Sequence, residues 1–247
     1  MTNPHESSAP LSYRLTQQVY RTRLDAGGTG ARHTSATVLV DPHGDDQRTL
    51  VSAPKAEATV IAIDVSGSMD EAYTGATNKL AAAKAAAVTF VVTKASMSPG
   101  DHIGLVSFDD QARVVLPCKP LREHRKDLIR AVQGLQIGGG TDIAAPLIKA
   151  RAMLATMSLN LQRRVVAVTD GHGGQPLDIA REMQNEGIVI DVIGIGDTPD
   201  RVNESLLRRV ASVVDGQSRY VFIRDLRALV QHTTSISRQV SDRTVTP

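Results

Sequence analysis

Cys118 is the single cysteine in a chain of 247 residues. An internal disulfide framework is thereby excluded, and a zinc centre finds no second thiol. Lying near a strand end, Cys118 reads as a small core hydrophobe. Aromatic residues are as scarce, at 3%, which leaves little surface on which single-stranded nucleic acid could stack. No stretch approaches the roughly 20 apolar residues that span a bilayer, and the polar start Met1 to Pro10 lacks a signal-peptide core. These absences predict a cytoplasmic protein with no membrane partner. Formal charges nearly cancel, at +2, so the charge balance asks for no polyanion. A Gly-x-x-x-x-Gly-Lys-Ser/Thr loop is missing, which removes an intrinsic P-loop nucleotidase, and the phosphatase pattern Asp-x-Asp is absent because Ser66 stands at its second aspartate. There is neither an internal repeat nor a low-complexity tract.

What remains is globular, with 41% hydrophobic residues and a length that suits one α/β domain plus a small appendage. Residues 1–10 read as a disordered lead-in. Leu11, Tyr13 and Leu15 alternate with polar neighbours, Gly27, Gly28 and Gly30 break the pattern, and 37–40 resumes it. That predicts a β-hairpin extension over 11–55, with the main domain starting near 56. From there apolar strand patterns at 58–63, 102–108, 112–116, 165–169, 188–195 and 220–223 alternate with helical ones at 78–95, 121–135, from Asp142, 177–186, 204–214 and after Asp225. Such alternation predicts a Rossmann-like, doubly wound α/β sheet, mostly parallel, in the order 3-2-1-4-5-6. Asp109-Asp110 is too short for a crossover, so the third strand is antiparallel and at an edge, where Pro117 is tolerated. The main domain is expected to run over 56–238, with a polar tail at 239–247.

Ligands of such sheets bind beyond the carboxyl ends of the strands, where the order reverses. The run Asp64-Val65-Ser66-Gly67-Ser68 follows the first apolar strand directly, so one carboxylate and two hydroxyls arrive at its carboxyl end. Asp170 closes the 165–169 strand across the expected reversal, and Thr141 follows Gly138-Gly139-Gly140 on a loop that can fold over the crevice, because glycine reaches backbone angles closed to other residues. Hard oxygens of this kind suit a divalent cation such as Mg²⁺ far better than proton transfer. Taken singly, Ser66 and Ser68 could cap a helix, Asp170-Gly171 could be a turn, Asp142 is a helix N-cap and Met69 a packing residue. Their convergence on one point favours the cation.

The pattern Asp64, Ser66, Ser68, Thr141, Asp170 resembles the metal-ion-dependent adhesion site of the von Willebrand factor type A (VWA) domain, of the bacterial intracellular type, over about residues 56–238. The resemblance implies that Ser66, Ser68 and Thr141 touch the ion directly, that Asp64 and Asp170 act partly through water, and that one position stays open. Mg²⁺, or Mn²⁺ or Ca²⁺, would then be completed by an Asp or Glu carboxylate of a protein partner, in a non-enzymatic module acting with a ring ATPase or in stress or metal resistance. Metal-assisted hydrolysis of a phosphate ester is the alternative; it needs a base, and His172 is the nearest candidate. RNA binding ranks last. The segment 119–164 is rich in Lys and Arg and reads either as a basic steering face or as the solvated side of two helices.

Overall fold

The computed structural model describes residues 18–23, 32–38, 50–52, 56–171 and 173–238. The expected lead-in, the strand at Leu11 to Leu15, the turn glycines 27, 28 and 30, His172 and the tail 239–247 lie outside the described residues. The chain divides into two compact units, Met1–Pro54 and Lys55–Pro247.

In the first unit, β1 (Gln18–Arg23), β2 (Arg32–Val38) and β3 (Leu50–Ser52) form an antiparallel sheet in that order. An antiparallel hairpin lies in this region, but its first described strand is Gln18–Arg23 and the strand expected at 11–15 is outside the described residues. Its second strand lies earlier than residues 37–40, and Leu50–Ser52, read as a lead into the main domain, is a third strand.

The second unit begins with β4 (Glu57–Asp64), buried along its whole length. A continuous apolar strand of this kind belongs at the centre of a sheet covered on both faces. There follow α1 (Lys79–Met97), β5 (His102–Phe108), β6 (Ala112–Pro120), α2 (Leu121–Gln133), α3 (Ala144–Ala155), β7 (Gln162–Thr169), α4 (Leu177–Asn185), β8 (Val189–Ile195), α5 (Glu204–Val210), the hairpin β9 (Val213–Val214) and β10 (Gln217–Ser218), β11 (Tyr220–Ile223) and α6 (Leu226–Arg238). The main sheet runs β11-β8-β7-β4-β5-β6. All its pairs are parallel except β5 with β6. This is the anticipated order, and the reversal lies between β4 and β7.

Alternation along the strands sorts side chains into two cores. Ile61, Ile63, Val166, Val168, Ile193 and Ile195 face α1, α2 and α6, whereas Val60, Ala62, Val165, Ala167, Ile190 and Val192 face α3, α4 and α5. Helix α1 lies close to the sheet because its contact stripe is Ala82, Ala83, Ala86 and Ala87, with Phe90 filling the space beyond. By length and mean hydropathy of 1.3, α1 would suffice to cross a membrane, yet this stripe packs in the core. Cys118 is buried between the sheet and α3, and burial pushes its thiol up to about 12. Such a thiol packs rather than reacts.

Three boundaries differ from expectation. Strand β6 continues to Pro120. Helix α3 starts at Ala144, whose N–H donates to Asp142 Oδ1 at 2.9 Å, so Asp142 caps from two residues upstream. The helix expected over 204–214 stops at Val210, because Asp215 (φ 51°) and Gly216 (φ 73°) make a tight hairpin turn. An Asp-Gly pair after Val213-Val214 is a hairpin signal, and here it outweighs helical periodicity.

Candidate metal centre

Asp64 ends β4 fully buried. Its Oδ1 accepts the Ser66 N–H at 2.8 Å, and its Oδ2 accepts the Thr169 hydroxyl at 2.6 Å. The first contact folds the chain into a tight turn. The second ties the ends of the two strands that flank the reversal. Burial pushes the Asp64 carboxyl up to about 6, against the pull of the hydrogen bonds from Thr169 and Ser66. A carboxylate held there without a counter-charge is costly.

That turn places Ser66 Oγ and Ser68 Oγ 3.1 Å apart. Adjacent ligands of an octahedral ion with bonds of about 2.0–2.1 Å lie about 2.8–3.0 Å from each other. The two hydroxyls, hydrogen-bonded to each other, thus stand close to the spacing of neighbouring ligands on one small dication.

The glycine loop meets this turn through its backbone. Gly67 N–H donates to the Gly139 carbonyl at 2.8 Å, and Gly138 N–H donates to the Val65 carbonyl at 2.6 Å. Left-handed backbone angles are not the reason for these glycines, contrary to expectation, since the loop shows no positive φ. Close approach is the reason: a Cβ on Gly138 would stand 2.3 Å from Asp109 Oδ2. Asp109 is itself an anchor. Its carbonyl accepts the Asp142 N–H at 2.7 Å, and its carboxylate accepts from Gln111 N–H and Arg113, each at 2.9 Å. Burial acts to raise this carboxyl, but those donors prevail and hold it down at about 2.

Left-handed angles occur instead in the loop after β7, at Gly171 (φ 88°), Gly173 (φ 106°) and Gly174 (φ 77°). A Cβ on Gly173 would fall 2.0 Å from the Thr141 carbonyl, and one on Gly174 would fall 2.1 Å from Asp142 Oδ1. Only glycine lets this loop lie against the Thr141 backbone.

Asp170 is buried, and its Oδ2 accepts from the Lys79 ammonium at 3.0 Å. Its Oδ1 is buried with no hydrogen-bond partner among the described residues. An orphaned carboxylate oxygen in such a place calls for a cation or for water bound to one. Lys79 also reaches Glu71 Oε2 at 2.6 Å.

The three segments carrying Asp64, Ser66 and Ser68, then Thr141, then Asp170 thus meet at the carboxyl ends of β4 and β7. The donor set fits a hard divalent ion. No group of three or more His, Cys, Asp and Glu side chains among the described residues is placed to hold a metal, so the set depends on hydroxyls. Sequence reasoning missed Thr169, Lys79 and Asp109, which hold its members in place. Met69 is fully buried in the core.

The basic segment is not one face. Helices α2 and α3 pack on opposite sides of the sheet. Arg151 pairs with Glu182 and Glu186, Arg130 pairs with Asp127, and Arg164 is buried. The solvated-helix reading holds for most of these charges.

Residues 59–172 match the family model of the von Willebrand factor type A domain. No curated protein matches the chain in sequence. Among solved structures, a von Willebrand factor type A protein from Catenulispora acidiphila shares 25% identity at a TM-score of 0.60, covering 77% of this chain and 43% of that one. The vWF domain of the type V pili tip protein Mfa5 from Porphyromonas gingivalis aligns at 0.64 with 15% identity, covering 79% and 99%. Proximal thread matrix protein 1 from the mussel byssus, with a zinc-occupied MIDAS motif, aligns at 0.58 with 19% identity, covering 74% and 48%.

Proposed function

We propose that this chain, whose residues 59–172 match the family model of the von Willebrand factor type A domain, a protein-interaction module that is often metal-dependent, binds a protein partner through a divalent cation held by Ser66, Ser68 and Thr141, with Asp64 and Asp170 behind them. The observation that carries this reading is the 3.1 Å spacing of the Ser66 and Ser68 hydroxyls, in the crevice where Asp170 keeps an unpartnered oxygen. When bound, Mg²⁺, or Mn²⁺ or Ca²⁺, supplies an electrophilic point open to an outside carboxylate. The protein's own part is positioning. Thr169 and the Ser66 N–H fix Asp64, the Gly67–Gly139 hydrogen bond sets the two loops at one distance, and Gly173 leaves room for Thr141.

The partner presents an Asp or Glu side chain, and no turnover is involved. A ring ATPase, or a stress or metal-resistance assembly in the cytoplasm, is the kind of partner the family resemblance offers. Hydrolysis would need a base at the ion. His172, the sequence's nearest candidate, lies outside the described residues, and no other side chain described here takes that part.

Calorimetric titration with MnCl₂ tests the site. The wild-type protein is expected to bind one ion, and Ser66→Ala and Thr141→Ala each to lose affinity at least about tenfold. Equal binding by all three proteins would end the reading. Capture of partners from cell extract should vanish both with chelator and with Asp64→Ala; capture indifferent to both would remove the cation bridge.

A pH dependence follows. Asp64 titrates near 6 in the metal-free fold, above its ordinary value of 3.8. Its raised value means that the folded chain holds this proton more tightly than the unfolded chain, so this group's contribution is favourable at low pH and is lost as pH rises through about 6. Bound cation competes with that proton. The rise in melting temperature given by MgCl₂ is thus expected to be small at pH 5 and larger at pH 7, read by a thermal melt at each pH. A shift of equal size at both would show that Asp64 does not face the ion.

A further inference from the structure

Lys79 occupies the first position of α1 and is 3% exposed, with its ammonium between Asp170 Oδ2 at 3.0 Å and Glu71 Oε2 at 2.6 Å. Without those two carboxylates the location would be doubly unfavourable for a cation. Burial strips its hydration, and the amino end of a helix carries partial positive charge. The Asn78 side chain already serves the helix start by accepting from Ala81 N–H at 2.8 Å, so capping does not account for Lys79. Nor does the apolar core, because the side chain ends on the carboxylate of a candidate ion ligand.

Resting on the cation-bridged reading above, we infer that Lys79 sets the charge of the site and the orientation of Asp170. Holding Oδ2 leaves Oδ1 as the one oxygen of Asp170 that lacks a partner among the described residues. Cancelling one buried carboxylate leaves Asp64, among the described residues, as the one fully buried acid of the site without a counter-charge; Glu71 is half-exposed. A filled site then retains positive charge. It holds its ion loosely enough to exchange and accepts an anionic group from outside better than a neutral one. Lys79 is a positioning residue: it acts through Asp170 and touches neither ion nor partner.

The direction of its effect separates this role from mere scaffolding. A structural lysine, when removed, weakens everything nearby. A lysine that competes for Asp170, when removed, makes the ion bind more tightly. Lys79→Met keeps much of the stem's volume and deletes the charge. Without it, Asp64 and Asp170 repel each other in the metal-free state, and both turn to the ion.

The experiment titrates the full chain with MnCl₂ by calorimetry, alongside thermal melts with and without the metal. Lys79→Met is expected to bind Mn²⁺ about tenfold more tightly than wild type, to melt lower without metal and to gain more from it. Mn²⁺ affinity in Lys79→Met equal to or below that of the wild-type protein overturns the inference and leaves the cation site standing. Binding by neither protein removes the site, and with it both readings. Binding by Lys79→Met alone supports the inference in its strongest form. Should this variant fail to fold, Glu71→Gln carries the test, because it leaves the whole ammonium charge to Asp170 from a half-exposed position. Its Mn²⁺ affinity is expected to fall about threefold; unchanged or tighter binding overturns the inference.

Discussion

Arg164→Met is expected to cost about 3–5 kcal/mol of folding stability, the range measured when one member of a buried charge network is removed. Arg164 lies on β7 and is buried among carboxylates. Its Nε donates to Asp191 Oδ2 at 2.6 Å, its Nη1 lies 3.8 Å from Glu57 Oε1, and the same nitrogen donates to the Ile236 carbonyl of α6 at 3.1 Å. Glu57 continues the chain to Lys94 at 3.2 Å, and Lys94 to Asp101 at 3.0 Å. Charges alternate in sign along this path, and each of these side chains is buried. Burial alone would pull the guanidinium down, but Asp191 and Glu57 hold it protonated. Removing it takes the shared counter-charge from two buried acids, leaving Glu57 to Lys94 and Asp191 to a more distant Arg219 at 3.9 Å, and takes a donor from one helix carbonyl. The network sits near the amino ends of β4 and β7, whereas Asp64 and Asp170 sit at their carboxyl ends. Mn²⁺ affinity should therefore stay within about twofold of wild type, since sites so separated act independently. Urea unfolding and calorimetry together check both halves; a loss below about 1 kcal/mol, the scale of an exposed ion pair, would mean that water reaches the network.

That network shows where reading from sequence stops. Strand order, the edge position of β6 and the placing of Asp64 and Asp170 across the reversal were legible because they follow from local periodicity, linker length and a general rule for open sheets. Glu57, Arg164 and Asp191 gave no such signal. A charge within a strand pattern reads as a solvated end, and nothing local states that these three will meet in one buried network with Lys94 and Asp101. The same holds nearer the crevice. Thr169 meets Asp64 across 105 residues of sequence and Lys79 meets Asp170 across 91. Locally, one is an ordinary β-branched strand residue and the other an ordinary lysine at the start of a helix. Glycine was legible as a residue type but not in its purpose. The run at 138–140 serves close approach to Asp109, and the positive angles belong to the loop after β7. Asp215-Gly216 was a local signal within reach, overridden by the helical spacing before it.

The loop after β7 carries the second large effect. Gly173→Ala is expected to lower Mn²⁺ affinity about a hundredfold, the upper end of the loss seen when residues supporting a metal ligand are replaced. Two penalties meet at this position. An L-residue at φ 106° is strained by about 1–3 kcal/mol. The new Cβ would also stand 2.0 Å from the Thr141 carbonyl, a backbone atom that cannot swing aside as a side-chain tip can. One segment must retreat, and Thr141 bears the hydroxyl proposed for the ion. Gly187→Ala isolates the first penalty. Its φ of 74° is also left-handed, yet a Cβ there meets nothing within 4 Å. That control should lose about 1 kcal/mol of stability and bind Mn²⁺ as wild type does. If Gly173→Ala folds and still binds Mn²⁺ like the control, Thr141 lies outside the coordination shell, and the hydroxyls of Ser66 and Ser68 would have to hold the ion without it.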